Sequence, residues 1–515
     1  MQLESFLERS AGHNPGKTAL VVGPSRWTYA QLEAASNRLA HAMQTQGIQR
    51  GDRVAVYLEN GFEAVVSVFA ALKAGAVFLM VNPTTKADKL RFILSNSRAA
   101  ALVSQASRLA RLDEVCSNAP HLRVAIAAGR PAGRELSGPR TCGFDDLLAR
   151  HAADDRPPPK RAIDIDLAAL IYTSGSTGNP KGVMLTHLNM VSAANSITTY
   201  LENTPDDVIL NVLPMSFDYG LYQVLMGLKI GGTVVLERSF AYPHAVLEKA
   251  VEERVTGLPL VPTMSAILLQ MDLAKYDWSS LRYITNTAAA LPTEHVLRLR
   301  RLFPQVRIYS MYGLTECKRV SYLPPDELDR RPDSVGRGMP NEEVYIVDER
   351  GDRVGPGVVG ELVVRGSNVM KGYWELPEET ERRLRPGPLP GERVLYTGDL
   401  FRMDHEGFLY FVGRKDDMIK SRGEKVSPKE VENVLYQHAE IAEAAVIGVP
   451  DEILGQAVKA VIVLRSGSRL TQRDVLGHCA ARLEDFMVPK LVEIRTSLPK
   501  NPNGKVDRRA LSSDM

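Results

Sequence analysis

The stretch Tyr172-Thr173-Ser174-Gly175-Ser176-Thr177-Gly178-Asn179-Pro180-Lys181-Gly182 carries an apolar, strand-like run, Leu167 to Tyr172, into a loop with three glycines, four hydroxyls and one lysine. Small residues let backbone N–H groups and hydroxyls close around phosphate oxygens, and Lys181 can neutralise one of them. The order is not that of a Walker A loop, Gly-x4-Gly-Lys-Ser/Thr, because Pro180 precedes the lysine and Gly182 follows it. A flexible Ser/Gly linker is the competing reading, and the apolar strand directly before the loop speaks against it.

Outward from this loop the chain alternates helix-like and strand-like segments. Thr28 to Gln46 has helical spacing, Arg53 to Tyr57 reads as strand, Phe62 to Ala74 as helix and Ala76 to Val81 as strand. The alternation resumes at Val208 to Leu213, Tyr219 to Leu228 and Thr233 to Leu236. Such a rhythm predicts βαβ units and parallel sheet, an α/β fold with a large layered N-terminal body. The basic, proline-rich Arg156 to Lys160 reads as a surface connection within that body. From Val344 the pattern changes to short strands separated by Gly and Pro (Val344 to Val347, Gly360 to Val364, Leu409 to Val412), which predicts a β subdomain of the same body. Beyond Gly413, the charged Arg414-Lys415-Asp416-Asp417 leads to a helix opening at Ser427-Pro428 and strands at Ala444 to Val449 and Val458 to Val463. The expected division is residues 1–415 for the body and 416–515 for a small α+β C-terminal domain.

At 515 residues the chain exceeds one ordinary core. Hydrophobic residues make up 44% and charged residues 24%, the balance of a soluble globular protein. With 63 Lys and Arg against 61 Asp and Glu, nothing in the net charge of +2 attracts nucleic acid or an anionic membrane. The most apolar stretch, Ala64 to Val81, is divided by Lys73 and Ala74-Gly75 and is not expected to span a bilayer. Cys116, Cys142, Cys317 and Cys479 form no C-x-x-C pair, and MQLESFLERS lacks the pattern of a secretory signal, so a cytoplasmic location is expected.

The Tyr172–Gly182 stretch resembles the phosphate-binding loop of the adenylate-forming superfamily: acyl-CoA synthetases, peptide-synthetase adenylation domains and firefly-type luciferases. Further matches follow in the family's order: Met311-Tyr-Gly-Leu-Thr-Glu316, Tyr396-Thr-Gly-Asp-Leu400, Gly413-Arg-Lys-Asp-Asp417 and Asn503-Gly-Lys-Val-Asp507. Leu72-Lys-Ala-Gly75 is similar to an early motif of the family, for which packing is the better role. The resemblance spans nearly the whole chain. It implies ATP with Mg²⁺, activation of a carboxylic acid as acyl-AMP, and transfer to a thiol of CoA or of carrier-protein phosphopantetheine. Residue by residue it places Thr173, Ser174, Gly175, Ser176, Thr177, Gly178 and Lys181 around phosphates and Tyr312 against adenine. Thr287 and Ala288 fall beside the adenine too, in an Asn286-Thr-Ala-Ala-Ala290 segment poorer in Gly than the family's. Thr315 touches phosphate and Glu316 holds Mg²⁺, as a hard cation bridging phosphates wants a carboxylate. Asp399 accepts from both ribose hydroxyls and Arg414 is its ribose-side partner.

Lys505 is the expected catalytic cation, offsetting charge that builds on the α-phosphate during adenylation, with Gly504 allowing close approach. The resemblance also implies a mobile tail. Rotating about a hinge at Asp416, it exchanges Lys505 for a face containing Gly423, where a pantetheine arm passes. His187, in Leu-Thr-His-Leu, lies near a family position, yet a hydrogen-bonded histidine at a helix start explains it equally well.

For the substrate pocket the candidates are Asp218, Tyr219, Tyr222 and Arg319. Amino-acid adenylation domains resembling this chain use the Asp after Phe to hold the substrate ammonium, so Asp218 hints at an amino acid; a helix N-cap or a residue facing away are the alternatives. Arg319 can pair with a second carboxylate or another oxygen-rich group on the acid, pair internally with Asp218, or turn outward. The expected activity is ligation of a small or polar acid to CoA, and the alternative is a stand-alone amino-acid adenylating enzyme serving a separate acyl or peptidyl carrier protein, since no carrier signature follows Leu511.

Overall fold

The computed structural model describes residues 1–129, 136–173, 180–287, 291–421, 424–451, 454–501 and 504–513. Two large sheets form the body. In the first, the strands Arg307–Tyr312, Tyr283–Asn286, Gly257–Leu260, Val208–Asn211, Thr233–Leu236 and Thr18–Val22 run parallel, and antiparallel strands close both edges. In the second, Leu167–Thr173, Val77–Met80, Arg53–Tyr57, Ala99–Gln105, Val124–Ala128 and Arg140–Gly143 are parallel, and Lys181–Thr186 and Gly372–Tyr373 add an antiparallel edge. One apolar core includes Val54 and Phe78 of the second sheet, Leu210, Val235 and Ile284 of the first, and helical Phe69 and Leu225. Strands covered on both faces read as unbroken apolar runs, which is why the βαβ rhythm was legible.

The helices follow the expected spacing. Tyr29–Thr45 opens on a capping box in which Thr28 and Gln31 satisfy each other's backbone N–H groups. Phe62–Lys73 is apolar all round and buried, and it stops before Gly75, whose φ of +80° reverses the chain into the strand Val77–Met80. The buried Lys73 ammonium pairs with Glu33 at 2.8 Å and Glu8 at 3.2 Å, a packing role for the Leu72–Gly75 motif. Among the described residues no helix is long and apolar enough to cross a membrane.

The region of short strands forms an antiparallel sheet, Glu342–Val347, Gly360–Gly366, Arg393–Met403 and Leu409–Arg414, with Leu384–Pro386 at one edge. Its apolar side, including Leu362, Val364 and Phe401, joins the main core. The tail has cores of its own that begin at Ile419: a sheet built on Ile441–Asp451 and Gly455–Leu464, covered by Pro428–Tyr436 and Gln472–Ala480.

Tail and body meet at His295. This buried side chain of the helix Thr293–Leu302 sets its ring edge-on to Tyr436, with centroids 5.5 Å apart. Burial, and then the cations Arg298, Arg465 and Lys429, push the His295 pKa from 6.5 down to about 4. The docked tail therefore favours the neutral imidazole. Docking is fully supported above pH 6.5 and weakens as pH falls toward about 4, by about 1.4 kcal/mol per unit at most. Small-angle scattering at pH 7.5 and 5 should show the tail loosening at the lower pH, and His295→Phe should remove that dependence; identical docking of the wild type at both pH values would contradict it.

Candidate functional site

Loops leaving the carboxyl ends of parallel strands converge on one cleft, where open α/β sheets characteristically bind ligands. Asn211 leads to the loop before Asp218, Leu260 to Val261-Pro262, Asn286 to Thr287, and Tyr312 to Gly313-Leu314-Thr315-Glu316. From the other sheet, Thr173 and Lys181 are cross-strand partners, the last pair of an antiparallel ladder. Ser174, Gly175, Ser176, Thr177, Gly178, Ala288 and Gly423 lie outside the described residues.

Asp399 is gripped on both oxygens. Tyr312 Oη donates to Oδ2 at 2.6 Å, and Arg414 Nε donates to Oδ1 at 2.9 Å. Asp399 and Arg414 face each other across the strands Arg393–Met403 and Leu409–Arg414, and Asp399 is buried. The Tyr312 ring meets Phe401 edge-on at 4.8 Å. Burial, reinforced by the Asp399 charge, raises the Tyr312 pKa, and Asp399 raises that of Arg414. Carboxylate, phenol and guanidinium thus form one rigid acceptor group with an edge suited to a vicinal diol.

Two further contacts prepare the phosphate side. Lys181 Nζ is 2.6 Å from Glu379 Oε2, its ammonium 5.7 Å from the Tyr373 ring centroid. Tyr373 Oη donates to Glu316 Oε1 at 2.7 Å, fixing that carboxylate while Thr315 sits partly buried beside it. Among the described residues no cluster of three or more His, Cys, Asp or Glu could hold a metal alone. One oriented carboxylate fits a Mg²⁺ that arrives with nucleotide phosphates and keeps most of its ligands from them.

The tail enters the same cleft. The Asn501 N–H donates to the Lys505 carbonyl, the Lys505 N–H donates to Asn501 Oδ1, Gly504 turns with φ +76°, and a Cβ there would lie 3.2 Å from Thr263 Oγ1 of the body. Lys505 Nζ lies 5.5 Å from the centroid of Phe217. Burial lowers its pKa; the Asp218 charge opposes that shift most, Arg414 adds to it, and the Asp399 and Glu316 charges oppose it less. Asp416 stands exposed in the turn after Arg414.

On the acyl side the structure narrows the alternatives. Asp218 is buried at the first position of the helix Asp218–Lys229; Phe217 is the N-cap, and no side-chain cap bond forms. Arg319 does not turn outward: it is 3% exposed, and it makes no ion pair with Asp218 among the described residues. Its guanidinium lies 4.7 Å from the Tyr219 ring centroid, and the Lys318 ammonium 5.6 Å from that of Tyr222. Tyr219 Oη bonds Thr285 Oγ1 at 2.7 Å and Tyr222 Oη donates to the Met190 carbonyl at 3.2 Å, so these phenols offer the pocket faces, not hydroxyls. Thr287 is buried with its hydroxyl unpaired. His187 is distant from this work: the Leu3 N–H donates to its Nδ1 at 3.1 Å, Glu4 lies at 3.6 Å, and burial lowers its pKa, all features of an N-terminal anchor.

Sequence reasoning missed Lys318, Tyr373 and Glu379. The consecutive cations Lys318-Arg319 directly after the Glu316 motif were a readable signal for the first; nothing local announced the other two.

The family model described as AMP-binding enzyme matches residues 7–374, and the one for the AMP-binding enzyme C-terminal domain matches residues 430–505. A feruloyl-CoA synthase of Amycolatopsis sp is 36% identical, covering 98% of this chain and 97% of its own. A long-chain-fatty-acid–CoA ligase of Bacillus subtilis (strain 168) is 32% identical over 99% of this chain and 94% of its own. The crystal structure of the anthranilate CoA ligase AuaEII in complex with anthranoyl-AMP superposes with a TM-score of 0.91 at 27% identity, covering 100% of this chain and 97% of that one.

Gly313 is the point on which the Lys318–Arg319 turn rests. A Cβ there would fall 2.2 Å from the Lys318 carbonyl oxygen and 2.8 Å from Arg319 Cα. Backbone cannot step aside as a flexible side chain can, so Gly313→Ala should lower stability by about 1–3 kcal/mol, read as a drop in thermal midpoint. An unchanged midpoint would count against this packing.

Proposed function

The chain belongs to the AMP-binding, adenylate-forming enzymes, and we propose that within this chemistry it activates a small or polar carboxylic acid. It is an AMP-forming acid–CoA ligase of the acyl-CoA synthetase type, using ATP, Mg²⁺ and CoA. The observation that supports the residue roles is the entry of the tail into the cleft: Lys505 Nζ lies 5.5 Å from the ring centroid of Phe217, the residue before Asp218, and Gly504 packs against Thr263. Asp399, set by Tyr312 and Arg414, holds the ribose diol. Thr315, Lys181 and Thr173 take the phosphates, and Glu316 would hold a Mg²⁺ that would screen their charge. An oxygen of the acid's carboxylate attacks the α-phosphorus, the bond to pyrophosphate breaks, and pyrophosphate departs with the electron pair. Lys505 offsets the charge that grows on the non-bridging oxygens at that moment. The CoA sulfur then attacks the acyl carbon and AMP leaves.

In this reading the body ends at residue 415, and the tail, 416–515, pivots at Asp416 to withdraw Lys505 and bring in the face containing Gly423. A polar acid is favoured by the charged wall of Asp218, Lys318 and Arg319, which would leave a long alkyl chain against buried charge. One observation favours the amino-acid alternative with a separate carrier protein: the Asp218 carboxylate is buried and not engaged in capping. The two cations beside it oppose a substrate ammonium. Acid-dependent release of pyrophosphate and AMP, measured over fatty, aryl, polar and amino acids with CoA as acceptor, tests the whole reading; turnover of amino acids alone, with no CoA thioester formed, would favour the carrier alternative.

Lys505→Ala should abolish acid-dependent pyrophosphate exchange while largely sparing thioester formation from supplied acyl-AMP. Equal loss in both assays would refute the pivot. Asp399→Ala should weaken ATP binding by about 1–3 kcal/mol in calorimetry, more than it affects the acid, because the diol loses a charged acceptor. Unchanged nucleotide affinity would remove Asp399 from the ribose site.

A further inference from the structure

We propose that the acid this chain activates carries a second carboxylate, seated on the side-on fork of Arg319 with the Lys318 ammonium as a further positive contact. The inference rests on the ligase reading above and names its substrate class. Lys318 and Arg319 are consecutive cations with relative exposures of 1% and 3%. Arg319 Nη1 donates to the Lys318 carbonyl at 2.9 Å. Its Nε and Nη2, and the Nζ of Lys318, are buried without a hydrogen-bond partner in the protein. Nε and Nη2 carry the two parallel N–H bonds that match a carboxylate in bidentate fashion. The aromatic faces beneath, Tyr219 for Arg319 and Tyr222 for Lys318, attract each cation without neutralising it and leave those donors in place.

Charge balance points the same way. Asp218 and then Glu316 are the carboxylates whose charge acts on Lys318, and both act on Lys505 as well. Among the described residues neither forms an ion pair with Lys318 or Arg319, so the two buried cations retain positive charge that a ligand carboxylate would balance, and an unmatched buried charge is otherwise strongly unfavourable. Nucleotide phosphates already have Lys181, Lys505 and the Glu316 ion. The reacting carboxylate must face Lys505. A substrate ammonium would be repelled by Lys318 and Arg319. The Lys318 backbone is held at φ +70°, a conformation uncommon for a non-glycine residue and found preferentially where a site demands it. With Gly313 packed against its carbonyl, the turn that presents both cations is specifically built.

The test is pyrophosphate release with succinate, glutarate, adipate and suberate, each against the monoacid of equal chain length: butyrate, valerate, hexanoate and octanoate. At least one diacid should exceed its matched monoacid by about thirty-fold or more in kcat/KM, the scale of one desolvated charge pair. Arg319→Gln should collapse that ratio toward one, and Lys318→Met should lower it. Relieved of an unmatched buried cation, Arg319→Met should also melt no lower than wild type without ligand. A wild-type ratio of one or less for every pair overturns the proposal, while release with any monoacid leaves the ligase reading standing. A ratio that survives Arg319→Gln overturns it too, and release with no acid of either series overturns both. The wild-type ratio needs no variant, so a misfolded variant does not block the decision.

Discussion

The Asp399 carboxylate holds three parts of the molecule in register. Through Tyr312 it is fixed to the carboxyl end of the main parallel sheet; through its own strand it belongs to the antiparallel subdomain; through Arg414 it reaches the last residue before the turn that leads into the tail. Each partner lies in a different element, so the carboxylate can keep its orientation only if all three pack correctly. A group with both oxygens engaged in charged or strongly polar bonds loses little freedom on binding a diol, and that preorganisation is what makes a single side chain an effective anchor. The remaining site residues are arranged at fixed distances from this point because the same sheet end carries them.

The fold was largely legible because its signals are local. Apolar runs such as Leu167 to Tyr172 and Val208 to Leu210 mark strands covered on both faces, and Thr28 with Gln31 marks a helix start, without knowledge of anything distant. Of the candidate site, the placement was legible wherever the residues sit in a short motif: Tyr312, Glu316, Asp399, Arg414 and Lys505 all come to the cleft. What stayed hidden are the side chains that position those residues. Glu379 meets Lys181, and Tyr373 meets Glu316, across the edge where Gly372–Tyr373 pairs with Lys181–Thr186, a pairing between segments far apart in sequence. For Lys318 the pair of consecutive cations was readable, but its left-handed backbone, which sequence patterns reserve for glycine, was not.

Reactive and recognising groups are separated by the fold. On the roles proposed above, the nucleotide side draws on Lys181, the subdomain and the tail, whereas the acyl side is built from the helix Asp218–Lys229 and the turn at Lys318-Arg319. Glu316 and Lys318 share one short loop, and that loop is where the two halves touch. Substitutions in the helix can therefore change which acid fits while leaving the ribose anchor unmoved, which accounts physically for one scaffold serving many acids.

With Lys181 in its proposed phosphate role, the Lys181–Glu379 pair makes nucleotide binding an exchange of anions. A phosphate oxygen that takes Lys181 displaces a carboxylate already bound to it, and Glu379 retains a second cation, Arg382, at 2.5 Å. The lysine is thus never stripped of a counter-charge, and the electrostatic gain of seating the phosphate is a difference between two ion pairs. Ionic strength screens both members of such an exchange, so the salt dependence of nucleotide affinity should be shallower than the number of positive contacts suggests. In that role for Lys181, the helix Pro377–Arg383, which carries Glu379, would register whether the phosphate position is filled.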